Sequence, residues 1–255
     1  MTKRIITGVV GGIFIAAVTY VGGAIYDSIY FGITCIAIYE LSKVFFDSGL
    51  DYGAIVNYLF AIVLFIGKML GYSNFLVFSL FLYISLNLLL FVFDKETDVK
   101  KISEIIFIGI YDVFFMYHML LMNDTPYPWL VYIIAFGTDT CAYFSGKMLG
   151  KHKLYPEVSP NKTIEGAIGG IIGCTILSLV YFYYLRINKY IYIIIFSVSA
   201  SVFSQAGDLA ASKIKRENNI KDFGRLLPGH GGILDRFDSV LFVAPAVYYF
   251  IWYFL

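Results

Sequence analysis

The stretch NFLVFSLFLYISLNLLLFVFDKETDVKK, residues 74–101, joins two chemistries end to end. Residues 74–93 carry no charge, whereas six of the eight residues in DKETDVKK, 94–101, are charged. Twenty residues wound as a helix rise about 30 Å, the thickness of a bilayer's hydrocarbon core. Lipid offers no partner for an unpaired backbone amide, so a run of this kind must close its hydrogen bonds on itself as a helix.

The same alternation extends outward in both directions. Eight further apolar segments are read at 5–22, 28–46, 52–70, 102–122, 128–146, 164–185, 190–210 and 237–255. The expected fold is all-α: a polytopic membrane helix bundle of about nine transmembrane helices. It forms a single integral membrane domain over 1–255, with N-terminal helices in 1–130 and a more polar portion in 131–255. The composition agrees. The chain is 59% hydrophobic and 15% charged, against about half and a quarter in soluble domains, and its mean hydropathy is +0.76. Lys3-Arg4 followed by IITGVVGGIFIAAVTYVGGA has the outline of a signal peptide. Its apolar run is long, however, and the next segment begins at once, so a retained first span is expected.

Cys35, Cys141 and Cys174 all lie in apolar stretches, without a CxxC pair or a His/Cys cluster at zinc spacing. They read as small buried hydrophobes. No repeat or low-complexity tract interrupts the chain.

Charge placement sets an orientation. One set of alternating loops comprises the N-terminus, the end near Lys43, 94–101, 147–163 and 213–239, and holds 16 of the 19 Lys and Arg residues; the other keeps Lys68, Arg186 and Lys189. The positive-inside rule then places the N-terminus in the cytoplasm and, after nine crossings, the C-terminus outside.

Ionisable groups inside spans cost several kcal/mol unless they meet partners or water, which makes each a functional candidate. Asp208 lies in SASVFSQAGDLAAS, where Ser201, Ser204, Gln205, Asp208 and Ser212 fall on one helical stripe. Such a stripe suits a hard cation that takes oxygen ligands; the alternative is helix–helix hydrogen bonding. Asp139 precedes Gly146-Lys147 and Gly150-Lys151, a pairing of close-approach backbone and point charge suited to phosphate. In VSPNKTIEGAIGG, Ser159 or Thr163 is placed to cap the next helix, Glu165 suits its first turn, and Lys162 adds to an anion site there. Glu40 is read as a partner of Lys43 three residues on. His118 is read as a satisfied polar group, and Asp112 is given no role.

The densest knot is KIKRENNIKDFGRLLPGHGGILDRFDS, 213–239. It is read as one short loop carrying six cations: Lys213, Lys215, Arg216, Lys221, Arg225 and Arg236. Glu217, Asp222, Asp235 and Asp238 lie among them. A basic patch on anionic headgroups would explain the cations, but not the carboxylates or the His230-Gly231-Gly232 turn. Phosphoryl or nucleotidyl transfer needs both, because cations and metal must be aimed at charge that builds on phosphorus. Asp208 and Asp235 are candidates to hold one metal or a pair.

From Ser212, the run S-x-I-K-R-x4-K-D-x-G-x-x-L-P-x-H-G-G-I-x-D-R-F-D resembles the signature of the phosphatidate cytidylyltransferase family. DTCAYFSGKMLGK from Asp139, SPNKTIEG from Ser159 and QAGDL from Gln205 are similar to that family as well. The resemblance implies that CTP and phosphatidic acid give CDP-diacylglycerol and pyrophosphate, with Mg²⁺ and room for a second cation. By that resemblance Asp208 and Asp235 are metal ligands, and Asp238 supports the metal or fixes Arg236. Lys215, Arg216, Lys221, Asp222 and His230 join the catalytic group, His230 either binding phosphate or holding the loop. Lys147, Lys151 and Lys162 neutralise phosphates, with Ser159, Thr163, Glu165, Ser204, Gln205, Ser212, Gly231 and Gly232 around them. The expected partners are the two substrates and membrane lipid, with no nucleic acid and with room for a homodimer. The expected location is the cytoplasmic membrane of a bacterium-like cell, with the site on its inner face.

Three rivals make different predictions. A secondary transporter would set its carboxylates near the bilayer midplane, whereas these charges crowd at one interface. A CTP-dependent lipid kinase would release CDP in place of pyrophosphate. A CDP-alcohol phosphotransferase would carry an Asp-Gly-x-x-Ala-Arg run, which this sequence lacks.

Overall fold

The structure, a computed structural model, describes residues 2–46, 48–72, 75–95 and 97–255. Asn74, where the fourth segment was expected to begin, lies outside the described residues, as do the side chains of Lys3 and Arg4. The described chain is mostly helical, and seven of its helical stretches, with Val99–Leu121 taken as one, are long and apolar enough to cross a membrane. It is an all-α polytopic membrane protein with one small β-hairpin. Two compact units share the chain: residues 1–123 with 223–235, and residues 124–222 with 236–255.

The first unit contains α1 (Thr2–Val21), α2 (Gly23–Phe46), α3 (Tyr52–Met69), α4 (Phe75–Phe93), α5 (Val99–Ile108) and α6 (Phe115–Leu121). Carboxylates start two of them. Asp51 accepts from Gly53 and Ala54 N–H at 3.2 and 2.9 Å, and Asp98 accepts from Lys101 N–H at 2.8 Å, satisfying amides that a helix start leaves orphaned. One buried polar hub fastens three helices. Asn57 donates to the Gly53 and Ile105 carbonyls, while the Tyr83 hydroxyl lies 2.8 Å from both Asn57 Oδ1 and Ile105 O, its one proton serving either acceptor. Asp27 pairs with Lys68 and accepts from Asn123, which also donates to Gly23 O, so the end of α6 is tied back to α2.

Between α5 and α6, residues Gly109–Phe114 widen into a π-helical turn. The expected single α-helix over 102–122 is therefore interrupted. Asp112 sits in that turn, fully buried. A π-turn inserts one residue into the helical period and rotates the helix beyond it, a feature that recurs at functional positions.

The second unit contains α7 (Tyr127–Leu149), β1 (Lys153–Tyr155), β2 (Ser159–Thr163), α8 (Ile164–Tyr184), α9 (Tyr190–Glu217) and α10 (Leu234–Phe254), whose first two residues group with the first unit. Helices α7 and α8 pack backbone to backbone. A Cβ at Gly166 would lie 2.8 Å from Ala142 O, and one at Gly170 would lie 3.0 Å from Thr138 O. Small residues permit this closeness, which gives van der Waals attraction where lipid removes the hydrophobic drive. Phe196 stacks on Phe250 with centroids 3.9 Å apart, and Phe182 meets Phe250 edge-on, joining α8, α9 and α10.

The expectation of one short loop carrying six cations needs correction. Helix α9 continues seven residues beyond the expected 210, so Lys213, Lys215 and Arg216 ride on its last turns, and Arg236 lies within α10. Lys and Arg are good helix formers and are favoured at a helix C-terminus, where the unpaired carbonyls are partly negative. Asn219 then turns into the left-handed region at φ 55°, and Ile220 N–H closes on Lys215 O at 2.9 Å. Lys221 and Arg225 are the two of the six that remain on irregular backbone.

Candidate active site

The second unit gathers carboxylates and cations from four of its elements. Lys162, at the end of β2, forms an ion pair with Asp208 on α9; each side chain keeps about a quarter of its surface open, at 26% and 24%. Ser212, one turn along α9, donates to Asp208 Oδ1 at 3.4 Å. Asp139 on α7 lies within electrostatic reach of Asp208, Lys162 and Arg236. Asp238 on α10 feels Asp208, Asp139 and Lys215, and its Oδ1 accepts from Ser239 N–H at 2.8 Å. Gly207 makes this convergence possible, since a Cβ there would come within 2.7 Å of Asp238 O. Three carboxyl groups are thus held near one another with three cations interleaved.

The entry to α8 is built around Thr163. Its hydroxyl caps the helix by accepting from Gly166 N–H at 3.1 Å. The same side chain fills the space a Cβ would need at Gly146 (3.0 Å) and at Gly150 (2.8 Å). The glycines of GKMLGK therefore admit Thr163, while Lys147 and Lys151 remain exposed. Glu165 reaches back over the turn, accepting from Lys151 N–H at 3.0 Å and His152 N–H at 3.2 Å and meeting His152 Nδ1 at 2.6 Å. Ser159 pairs with Tyr155 in the hairpin. Ser204 is fully buried, and Gln205 donates to Ala167 O at 3.2 Å, linking α9 to α8.

In the first unit the glycine-rich loop closes on two carboxylates. Asp235 is buried, and its Oδ2 accepts from Phe223 N–H (2.8 Å) and Gly232 N–H (2.9 Å). Glu40 of α2, 3% exposed, accepts from Ile233 N–H (3.0 Å) on one oxygen and Leu234 N–H (2.9 Å) on the other. Between these anchors Gly229 and Gly231 take φ of 77° and 86°, conformations that a side chain would strain. His230 N–H bonds Leu227 O at 2.9 Å, and its ring lies against Gly8 of α1, where a Cβ would be 3.2 Å from Nε2. Thr7 donates to Pro228 O at 3.1 Å.

A profile of the cytidylyltransferase family matches residues 2–254. The chain is 34% identical to the phosphatidate cytidylyltransferase of Bacillus subtilis strain 168 over 263 residues, covering 98% of this chain and 97% of the relative. It is 47% identical to the enzyme of that name from Staphylococcus haemolyticus strain JCSC1435 over about half of each chain (51% and 51%). Against that of Staphylococcus aureus strain COL it is 45% identical over 56% of this chain and 55% of the relative. The chain belongs to the cytidylyltransferase family. It is a nucleotidyltransferase, as the resemblance of its signature implied.

For a cytidylyltransferase, the donors around Asp208 have suitable chemistry. Carboxylate and hydroxyl oxygens are what Mg²⁺ prefers, and it commonly uses one or two carboxylates together with water and substrate phosphates. Among the described residues, no three His, Cys, Asp or Glu side chains approach closely enough to hold a metal by themselves. Sequence reasoning missed Glu40 because it assigned the carboxylate to Lys43; the signal was present, an acid in the middle of an apolar helix. His118 Nδ1 lies 2.8 Å from Phe114 O.

Proposed function

We propose that this cytidylyltransferase joins CTP to phosphatidic acid at the cytoplasmic face of the membrane, by metal-assisted displacement. The observation that carries the reading is the Lys162–Asp208 pair and its surroundings. Asp139, Lys162, Asp208, Lys215, Arg236 and Asp238 all come from the signature segments, and they bring opposite charges within reach of one another.

In the reaction, an oxygen of the lipid phosphate forms a bond to the α-phosphorus of CTP, and the bond from that phosphorus to the β-phosphate bridging oxygen breaks. CDP-diacylglycerol forms and pyrophosphate leaves. A phosphate monoester is already largely ionised near neutral pH, so the attack needs little help from a base. The protein's task is to hold two polyanions together and offset the charge that develops. Lys162 and Lys215 serve that end beside the carboxylates, with Arg216, Lys221 and Arg236 as further phosphate contacts and Lys147 and Lys151 at the mouth of the hairpin. By the family resemblance, Asp208 is assigned to Mg²⁺, which when bound would supply Lewis-acid stabilisation of the phosphate oxygens; the same resemblance separately gives Asp235 a metal-ligand role. Asp238 keeps its supporting part. The lipid tails stay in the bilayer while CTP arrives from water, and a site at the polar ends of helices serves both.

The test is pyrophosphate release by the purified protein in detergent with CTP, phosphatidic acid and Mg²⁺, beside Asp208→Asn. Lipid-dependent pyrophosphate from the wild type, lost about 100-fold or more in the folded variant, supports the reading. Release of CDP with a phosphorylated alcohol would instead make the protein a lipid kinase.

A further inference from the structure

The geometry points to Glu40 as a positioning residue: an internal anion that permanently occupies the amide cradle of the glycine-rich loop and so fixes the loop's shape for the reaction. The inference rests on the cytidylyltransferase reading, but the structural tie can be measured without it.

The cradle has the form expected of a phosphate site. Gly-rich backbone leads into a helix N-terminus whose amides point outward, an arrangement that favours a bound anion. Here the anion is the protein's own. Both Glu40 oxygens accept amide protons, from Ile233 and Leu234. The loop wraps the carboxylate so closely that a Cβ would lie 2.3 Å from Glu40 Oε1 at Gly224 and likewise at Gly232. One side chain on α2 therefore explains both of these glycines. Asp235 Oδ2 adds its two amide bonds from within the loop. Together the two carboxylates hold four backbone amides between Phe223 and Asp235, and Thr7 holds Pro228 O on the same loop.

This division of labour changes what Gly231 and Gly232 do. They were expected to wrap a substrate phosphate. With the amides of Gly232, Ile233 and Leu234 all engaged by carboxylates, the loop's backbone serves its own shape, and its contacts to substrate fall to side chains such as Arg225 and His230. Charge-assisted bonds to a buried carboxylate are about twice as strong as neutral ones, so the loop is held firmly while its cations remain outside the tie. Asp112, within electrostatic reach of Glu40, has no hydrogen-bond partner among the described residues for either oxygen. Glu40 is the one of the two that reaches the loop.

The rival is that Glu40 is a stand-in which substrate phosphate displaces, and the two differ in sign. Glu40→Gln keeps the volume but replaces one acceptor by an amide NH₂ facing an N–H. As a positioning residue it should lower the rate of pyrophosphate release at saturating substrates about 10- to 100-fold, with Glu40→Asp recovering part of the loss. Trypsin cleavage after Arg225, scored by mass, should become about 5-fold faster or more in Glu40→Gln than in wild type, because the loop is released. Unchanged rate and unchanged cleavage would sink the inference, and so would a lower CTP KM with equal or higher rate, the mark of a displaced stand-in. A loss of rate with cleavage unchanged would also reject it, since the loop would not have moved. If Glu40→Gln cannot be purified folded, Gly232→Ala provides the same comparison by pressing a methyl group onto the carboxylate. A wild type that makes no pyrophosphate would overturn the enzymatic reading alone, because the cleavage comparison still decides the tie.

Discussion

Thr163 illustrates how much one side chain can settle. Its hydroxyl accepts from Gly166 N–H and also faces Gly146, while hydroxyl and methyl together lie against Gly150. Removing a helix N-cap costs about 1 kcal/mol, with some further loss for the packing. Thr163→Ala should lower the midpoint of thermal unfolding in detergent, whereas Thr163→Ser should keep most of the stability. The same residue separates what was legible from what was not. The cap could be read from SPNKTIEG, because the donor lies three residues from the acceptor. The partners of Glu40 could not, because Ile233 and Leu234 lie 193 and 194 residues away and no local pattern announces them. The acids of α7 and α9 were recognisable by their expense in an apolar helix, and those of α10 by the dense charge of 213–239, yet the ion pair of Asp208 with Lys162 needed the fold.

At the scale of elements, helix ends were legible where a charge or turn residue marked them, and α3, α4 and α8 begin and end within a residue or so of expectation. The failures have physical causes. Helix α9 ran on because Lys and Arg read as loop residues in an oily chain, although they are also favoured in a last helical turn. The π-turn at Gly109–Phe114 left no mark, since one inserted residue does not change an apolar run. The seam of α7 with α8 gives a sharper prediction. A Cβ at Gly170 would already lie 3.0 Å from Ala142 Cβ and Thr138 O, so Gly170→Val overpacks a backbone contact. It should destabilise the protein by about 1–3 kcal/mol. Gly12→Val on α1, with nothing within 4 Å of its added Cβ, is the matched control and should leave thermal unfolding nearly unchanged.

For the molecule as a whole, the seven long apolar helices establish a membrane protein, and the loop charges propose its orientation. In a variant stripped of Cys35, Cys141 and Cys174, Lys101→Cys and Arg186→Cys should label from opposite sides. A membrane-impermeant maleimide added to intact cells should modify position 186 but reach position 101 only after lysis. Labelling of both from one side would remove the proposed cytoplasmic site.

The grip of Glu40 on the loop also sets an order of events during biosynthesis. At about 5–20 residues per second, the ribosome needs roughly 10–40 s to make the chain separating Glu40 from Ile233. Throughout that delay α2 has already been synthesised with an acid in its apolar length and no loop to receive it. A nascent chain that stalls before residue 223 therefore carries α2 without the loop amides that meet Glu40 in the finished protein.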